Sequence, residues 1–98
     1  MLIIRETFIA KPGQAGKLAK LFRRAFPASH GRVLTDFVGN YNTVIMEMEV
    51  ENLAAFEEQY NQYRQGNMGD IDPEVLEQLK NYTDMWESGK REIFQVIE

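Results

Sequence analysis

The residues with the plainest capacity for chemistry are His30, Tyr82 and Arg5. His30 is the sole histidine and sits between Ser29 and Gly31, and its ordinary titration range suits a general base. The competing reading is a loop histidine without a function. Tyr82 offers a second proton-handling group, and Arg5 a cation able to steady an anionic oxygen. Ser29 beside His30 is not a nucleophile elbow, because the elbow needs a serine flanked by glycines on a strand-to-helix turn, and here a helix hands over to a strand. The sequence has no cysteine, which removes thiol nucleophiles, disulfides and sulfur-ligated metals. With no second histidine, no HExxH and no calcium-loop pattern, a metal held by the protein lacks ligands. Gly66 and Gly69 stand beside Asn67 and Asp70 rather than leading from a strand into a helix, so no phosphate loop is present. No cofactor is expected.

Tyr60, Tyr63, Met68, Tyr82, Met85 and Trp86 together offer an aromatic, polarizable lining suited to a flat organic ligand, and the same residue types also make ordinary core between helix and sheet. Arg5, Thr7, Glu47, Tyr60, Tyr63, Met68, Tyr82 and Trp86 are the candidate cleft residues. Residues 66 to 70 read either as a lid over that cleft or as a spacer.

The elements that must position these groups follow from the pattern. Residues 2 to 9 are rich in β-branched and aromatic types and stop at Lys11-Pro12-Gly13, which predicts a first strand. From Gln14 onward Ala15, Leu18, Ala19, Phe22, Ala25 and Phe26 recur at three- and four-residue steps, predicting an amphipathic helix ended by Pro27. Residues 32 to 38 and 43 to 50 flank the turn formers Gly39-Asn40-Tyr41-Asn42 and should pair as a hairpin. Asn52 is placed to cap a helix carrying Leu53, Phe56, Tyr60 and Tyr63 on one face. Asp72 and Pro73 open another helix that turns Val75, Leu79, Tyr82 and Trp86 inward. Ser88-Gly89 should end it, leaving residues 91 to 97 as the last strand. The order βαββαβ predicts a ferredoxin-like α+β fold: one domain over residues 1 to 98, a four-stranded antiparallel sheet and all helices on one face.

Alternation then divides the sheet. Val44, Met46, Met48 and Val50 point toward the helices, and Arg5 and Thr7 share the other face with Ile3, Ile9, Ile45, Glu47 and Glu49, where Arg5 is expected near Glu47. A half-apolar sheet face with no helix over it predicts a homodimer, or a higher even-numbered oligomer.

The formal net charge of −4 is uneven, with Arg5, Lys11, Lys17, Lys20, Arg23, Arg24 and Arg32 in the first third. That third reads as attraction for a phosphate-rich partner or as one solvated helix face. RNA recognition would need aromatics on the strands and a basic sheet face, whereas residues 43 to 50 carry two glutamates and no aromatic, so no nucleic-acid partner is expected. The run Met1-Leu2-Ile3-Ile4 is broken by Arg5 and Glu6, well short of a signal peptide or a spanning helix, and a cytoplasmic protein with no membrane partner is expected. The Asn81-Tyr82-Thr83 sequon is a chance match in a helical setting.

On three segments the chain resembles the dimeric α/β-barrel superfamily, and most of all its small NIPSNAP-type and antibiotic-biosynthesis-monooxygenase-type domains. These are the opening strand running into Lys11-Pro12-Gly13, the hairpin segment Tyr41-Asn42-Thr43-Val44-Ile45-Met46-Glu47-Met48-Glu49, and the closing Gly89-Lys90-Arg91-Glu92-Ile93-Phe94. The resemblance implies two sheets packed face to face into a barrel, with a small-molecule cleft in each subunit between sheet and helices. Haem-degrading members of the superfamily would offer an axial histidine late in the second helical region, and this chain has none there. Two functions are expected from different classes. One is binding of a small aromatic or apolar molecule by a non-catalytic dimer that acts as an interaction or ligand-sensing module. The other is a cofactor-independent monooxygenase-like enzyme.

Overall fold

A computed structural model describes residues 1–26, 31–65 and 72–98. Their elements are β1 (Leu2–Ala10), α1 (Ala15–Ala25), β2 (Gly31–Thr35), β3 (Thr43–Val50), α2 (Leu53–Arg64), α3 (Pro73–Leu79), a short 3₁₀ turn (Tyr82–Met85) and β4 (Trp86–Gln95). The strands form one antiparallel sheet in the order β2-β3-β1-β4, the ferredoxin-like α+β arrangement. Within one chain the sheet is open, with β2 and β4 as free edges. Among the described residues no helix is long and apolar enough to cross a membrane.

The core forms where the three- and four-residue spacing of α1 meets the two-residue spacing of the strands. α1 buries Leu18, Leu21, Phe22 and Ala25. Leu18 and Phe22 pack against Phe8 and Ala10 of β1 and Val44 and Met46 of β3. Each large side chain so buried contributes roughly 1.5–3 kcal/mol. Leu21 and Ala25 instead meet Val75 and Leu79 of α3 in a second cluster. Asn52 caps α2 by accepting the Ala55 N–H at 2.9 Å, and Asp72 caps α3 by accepting the Glu74 N–H at 2.9 Å, with Pro73 in the first turn.

Three expectations from the sequence need correction. β4 begins at Trp86 rather than at residue 91, so Ser88 and Gly89 lie inside a strand and Trp86 opens it instead of closing a helix. The cause is local packing. Gly89 pairs with Phe8, and a Cβ there would lie 3.1 Å from the Phe8 ring and 3.4 Å from Trp86, so the missing side chain makes room for the two rings. β2 stops at Thr35, leaving Phe37 and Val38 outside the sheet. α2 carries Leu53, Phe56, Tyr60 and Tyr63 at the spacing of an amphipathic face, yet none of its residues is buried. Its aromatic side lies over charge, not over a closed apolar surface.

Candidate functional site

Register places Glu6 of β1 directly beside Arg91 of β4, on the sheet face that α1 covers, because Glu6 alternates with Ile4 and Phe8. Arg91 Nε donates to Glu6 Oε1 at 2.6 Å. The guanidinium carbon sits 4.8 Å from the centre of the Tyr60 ring and 5.7 Å from that of Phe56. Phe56 and Tyr60, one helical turn apart on α2, stack with ring centres 6.0 Å apart. An arginine set over aromatic rings and fixed by a carboxylate is pre-organised for a charge-assisted contact.

Tyr63 and Tyr82 complete this neighbourhood. Burial pushes the Tyr63 hydroxyl above its ordinary range, and the charge of Glu6 and the neighbouring Tyr60 push it the same way against the opposing pull of Arg91. Burial likewise raises Tyr82, helped by Tyr63 and Glu6. Burial works against the Arg91 cation, but the hydrogen bond and charge of Glu6 outweigh it. At neutral pH the site therefore presents phenol O–H donors and a permanent cation beside one carboxylate. The Tyr82 ring also lies edge-on to Phe8 and Phe22, with centres 6.4 and 6.0 Å away, and joins the site to the aromatic core. At the edge of that core, Trp86 Nε1 is buried without a hydrogen-bond acceptor among the described residues.

The opposite face carries a second cluster. Glu47 is 6% exposed although no described helix covers it, because Arg5 and Arg32 close over its carboxylate. Arg5 Nε donates to Oε2 at 2.7 Å and Arg32 Nε to Oε1 at 2.9 Å. Arg5 also lies 5.0 Å above the Phe94 ring. Burial alone would raise the Glu47 carboxyl, but the hydrogen bonds and charges of Arg32 and Arg5 reverse that and hold it below its ordinary 4.5. A carboxyl with a depressed folded-state pKa stabilises the fold above its unfolded value, and that contribution disappears as pH falls through the folded value. Arg5 and Arg32 keep substantial solvent contact, so about 1 kcal/mol is expected. Urea midpoints of the native chain and Glu47→Gln should differ at pH 7, and the gap should narrow as acid protonates the carboxylate at pH values below its ordinary 4.5. Equal midpoints at pH 7 would show that the pairing contributes nothing to the fold.

The structure does not bring the sequence-derived candidates into one cleft. Tyr60, Tyr63 and Tyr82 lie on the helix-covered side, whereas Arg5, Thr7 and Glu47 lie on the uncovered side, and the sheet stands between them. Trp86 is packed against Phe8, ring centres 5.2 Å apart. His30, Ser29, Met68 and the segment 66 to 70 lie outside the described residues. Glu6, Arg91 and Phe56 were missed. The signal for Glu6 was a charge at a core-facing position of a strand, between Ile4 and Phe8, where an unpaired carboxylate is rarely tolerated. Part of the basic face of α1 is neutralised, since Arg24 lies 3.8 Å from Asp72 and 4.0 Å from Glu74. Among the described residues no group of three or more His, Cys, Asp or Glu could hold a metal ion.

No family model matches the chain, and no curated protein matches it in sequence. Solved structures do match in shape. An uncharacterized NIPSNAP domain protein from Burkholderia xenovorans superposes with a TM-score of 0.71 at 14% identity, covering 99% of this chain and 95% of that one. A NIPSNAP family protein from Agrobacterium tumefaciens gives 0.76 at 13% identity, over 99% and 86%. An antibiotic biosynthesis monooxygenase gives 0.65 at 10% identity, over the whole of both chains. The chain therefore has the fold that NIPSNAP-domain proteins share with an antibiotic biosynthesis monooxygenase.

Proposed function

We propose that the domain binds a small, flat aromatic or apolar molecule bearing an oxygen function, between α2 and the sheet, and does so as a homodimer closed through its uncovered sheet face. The observation that carries the ligand reading is Arg91, fixed by Glu6 at 2.6 Å and lying on the Tyr60 ring at 4.8 Å. A planar ligand would meet aromatic rings around it, a cation for its oxygen and phenol donors beside it. The dimer reading is supported by the face that carries Ile3, Ile9, Ile45, Leu34 and Phe94 with no helix over it; Phe94 is 41% exposed. The absence of cysteine supports a reducing, cytoplasmic setting.

A catalytic reading of the monooxygenase-like kind is favoured by one feature of the same site. Arg91 and the two raised phenols form a donor set suited to an oxyanion or enolate. In that reading Arg91 takes the place the sequence assigned to Arg5, which lies across the sheet from Tyr82.

The test uses 8-anilinonaphthalene-1-sulfonate, a flat anionic fluorophore, with native mass spectrometry for co-purifying molecules. Saturable binding is expected, weakened about 10- to 100-fold by Arg91→Ala, the worth of a charge-assisted hydrogen bond. Arg5→Ala should leave it unchanged, and near-ultraviolet circular dichroism should confirm that both variants are folded. Equal affinity for the native chain and Arg91→Ala would sink the cleft.

A further inference from the structure

Beyond the end of the sheet the β2–β3 connection exposes three large apolar side chains within five residues: Phe37 (101% exposed), Val38 (91%) and Tyr41 (82%). Single exposed apolar residues need no explanation, but three within five residues of a well-braced turn do. The brace is explicit. Asp36 Oδ1 accepts the Thr43 N–H at 3.1 Å, and the Asn42 carbonyl accepts the Ala10 N–H at 2.8 Å, tying the turn to the central strand. Tyr41 and Asn42 both have left-handed backbone, φ 63° and 59°. Asparagine tolerates that region, whereas a bulky tyrosine there is strained, and strain of this kind persists where an exposed conformation is put to use.

We infer that this tip is an anchor of the contact between two copies of the chain. The inference rests on the dimer reading above and says which residues hold it. Two observations point to a second copy. First, the tip leaves the sheet at the end where the uncovered face is apolar, beside Ile9, Leu34 and Ile45, and away from the Arg5–Glu47–Arg32 row. Second, the face is small. Four strands at about 4.8 Å spacing and roughly eight residues long span a footprint of roughly 500 Å². A stable interface takes about 800 Å² per partner, and charge occupies the middle of this face. Two aromatics and a valine overhanging its end supply the missing apolar area, and aromatic anchors are what such contacts depend on.

The experiment is sedimentation equilibrium of the full chain, of Phe37→Ser/Val38→Ser and of Tyr41→Gly, with thermal unfolding at concentrations where the protein is monomeric. The double variant should raise the dimer dissociation constant at least 30-fold without changing the monomer's Tm, because Phe37 and Val38 are almost fully exposed in the single chain. Tyr41→Gly should raise the monomer's Tm by relieving the backbone while weakening the dimer, a pairing of effects that a purely structural turn would not give. Unchanged dimerisation in both variants would overturn the anchor and leave the dimer itself standing. A native chain monomeric at 100 µM, a concentration chosen for the test and roughly a hundredfold above a micromolar dissociation constant, would overturn both and leave the cleft untouched. Cosedimentation with phosphatidylserine vesicles that the double variant loses, at unchanged dimerisation, would overturn it in favour of a lipid-facing tip.

Discussion

Phe8→Ala is expected to lower stability by about 3–5 kcal/mol, the range for deleting a large buried aromatic. The environment argues for the upper part of that range. The Phe8 ring centre lies 5.1 Å from that of Phe22 and 5.2 Å from that of Trp86, and Tyr82 meets it edge-on. Gly89 has no side chain to move into the space, and β1 is fixed on both sides by β3 and β4, so the surroundings have little means of collapse. Small domains have only about 5–15 kcal/mol to lose, so the variant should be largely unfolded at physiological temperature. Chemical denaturation followed by tryptophan fluorescence would measure this, since Trp86 is the one tryptophan and reports from inside the cluster. A loss below 1 kcal/mol would mean that the aromatic cluster is not the centre of the fold.

Gly31→Ala should cost about 1–3 kcal/mol, the usual range for forcing extra atoms into a packed position. A Cβ on Gly31 would sit 2.3 Å from the Glu47 carbonyl oxygen, which is backbone and cannot rotate away. The strands would have to part at the residue where Glu47 holds Arg5 and Arg32, so damage to the ion cluster should accompany the loss. Amide exchange in β2 and at Glu47 is the measurement. Protection equal to that of the native chain would show that the sheet end yields freely.

How much of this was legible in the sequence depended on whether one physical signal dominated at each place. In α1, Leu18, Phe22 and Ala25 recur at helical steps between cations, and the same residues are buried in the structure. In β3, Val44, Met46 and Val50 alternate with Ile45, Glu47 and Glu49, so the core-facing row was readable directly. The start of β4 was not. Ser88 and Gly89 have the residue types of a helix end, and their strand conformation is set by Phe8 across the ladder, a contact 81 residues away in the chain. α2 looked amphipathic, but Tyr60 and Phe56 spend their aromatic faces on Arg91, and composition alone cannot distinguish a ring packed on a cation from one packed on a leucine. The candidate site was half legible for a related reason. Its aromatic members stood out by type, whereas Glu6 and Arg91 become a pair only once β1 and β4 lie side by side.

Arg5 and Glu6, adjacent in the chain, hold partners on opposite faces of the sheet, Glu47 on one and Arg91 on the other. This makes β1 sensitive to misthreading by a single position. Advance it one way and Glu6 takes the place of Arg5, opposite Glu47 on β3 and Glu92 on β4; advance it the other way and Arg5 arrives opposite Arg91. Either error sets like charges face to face, which is unfavourable, and turns Ile4 and Phe8 out to water. Two neighbouring residues of opposite sign thus work as a proofreading key for the central strand, rejecting both nearest wrong alignments whatever else the faces bind.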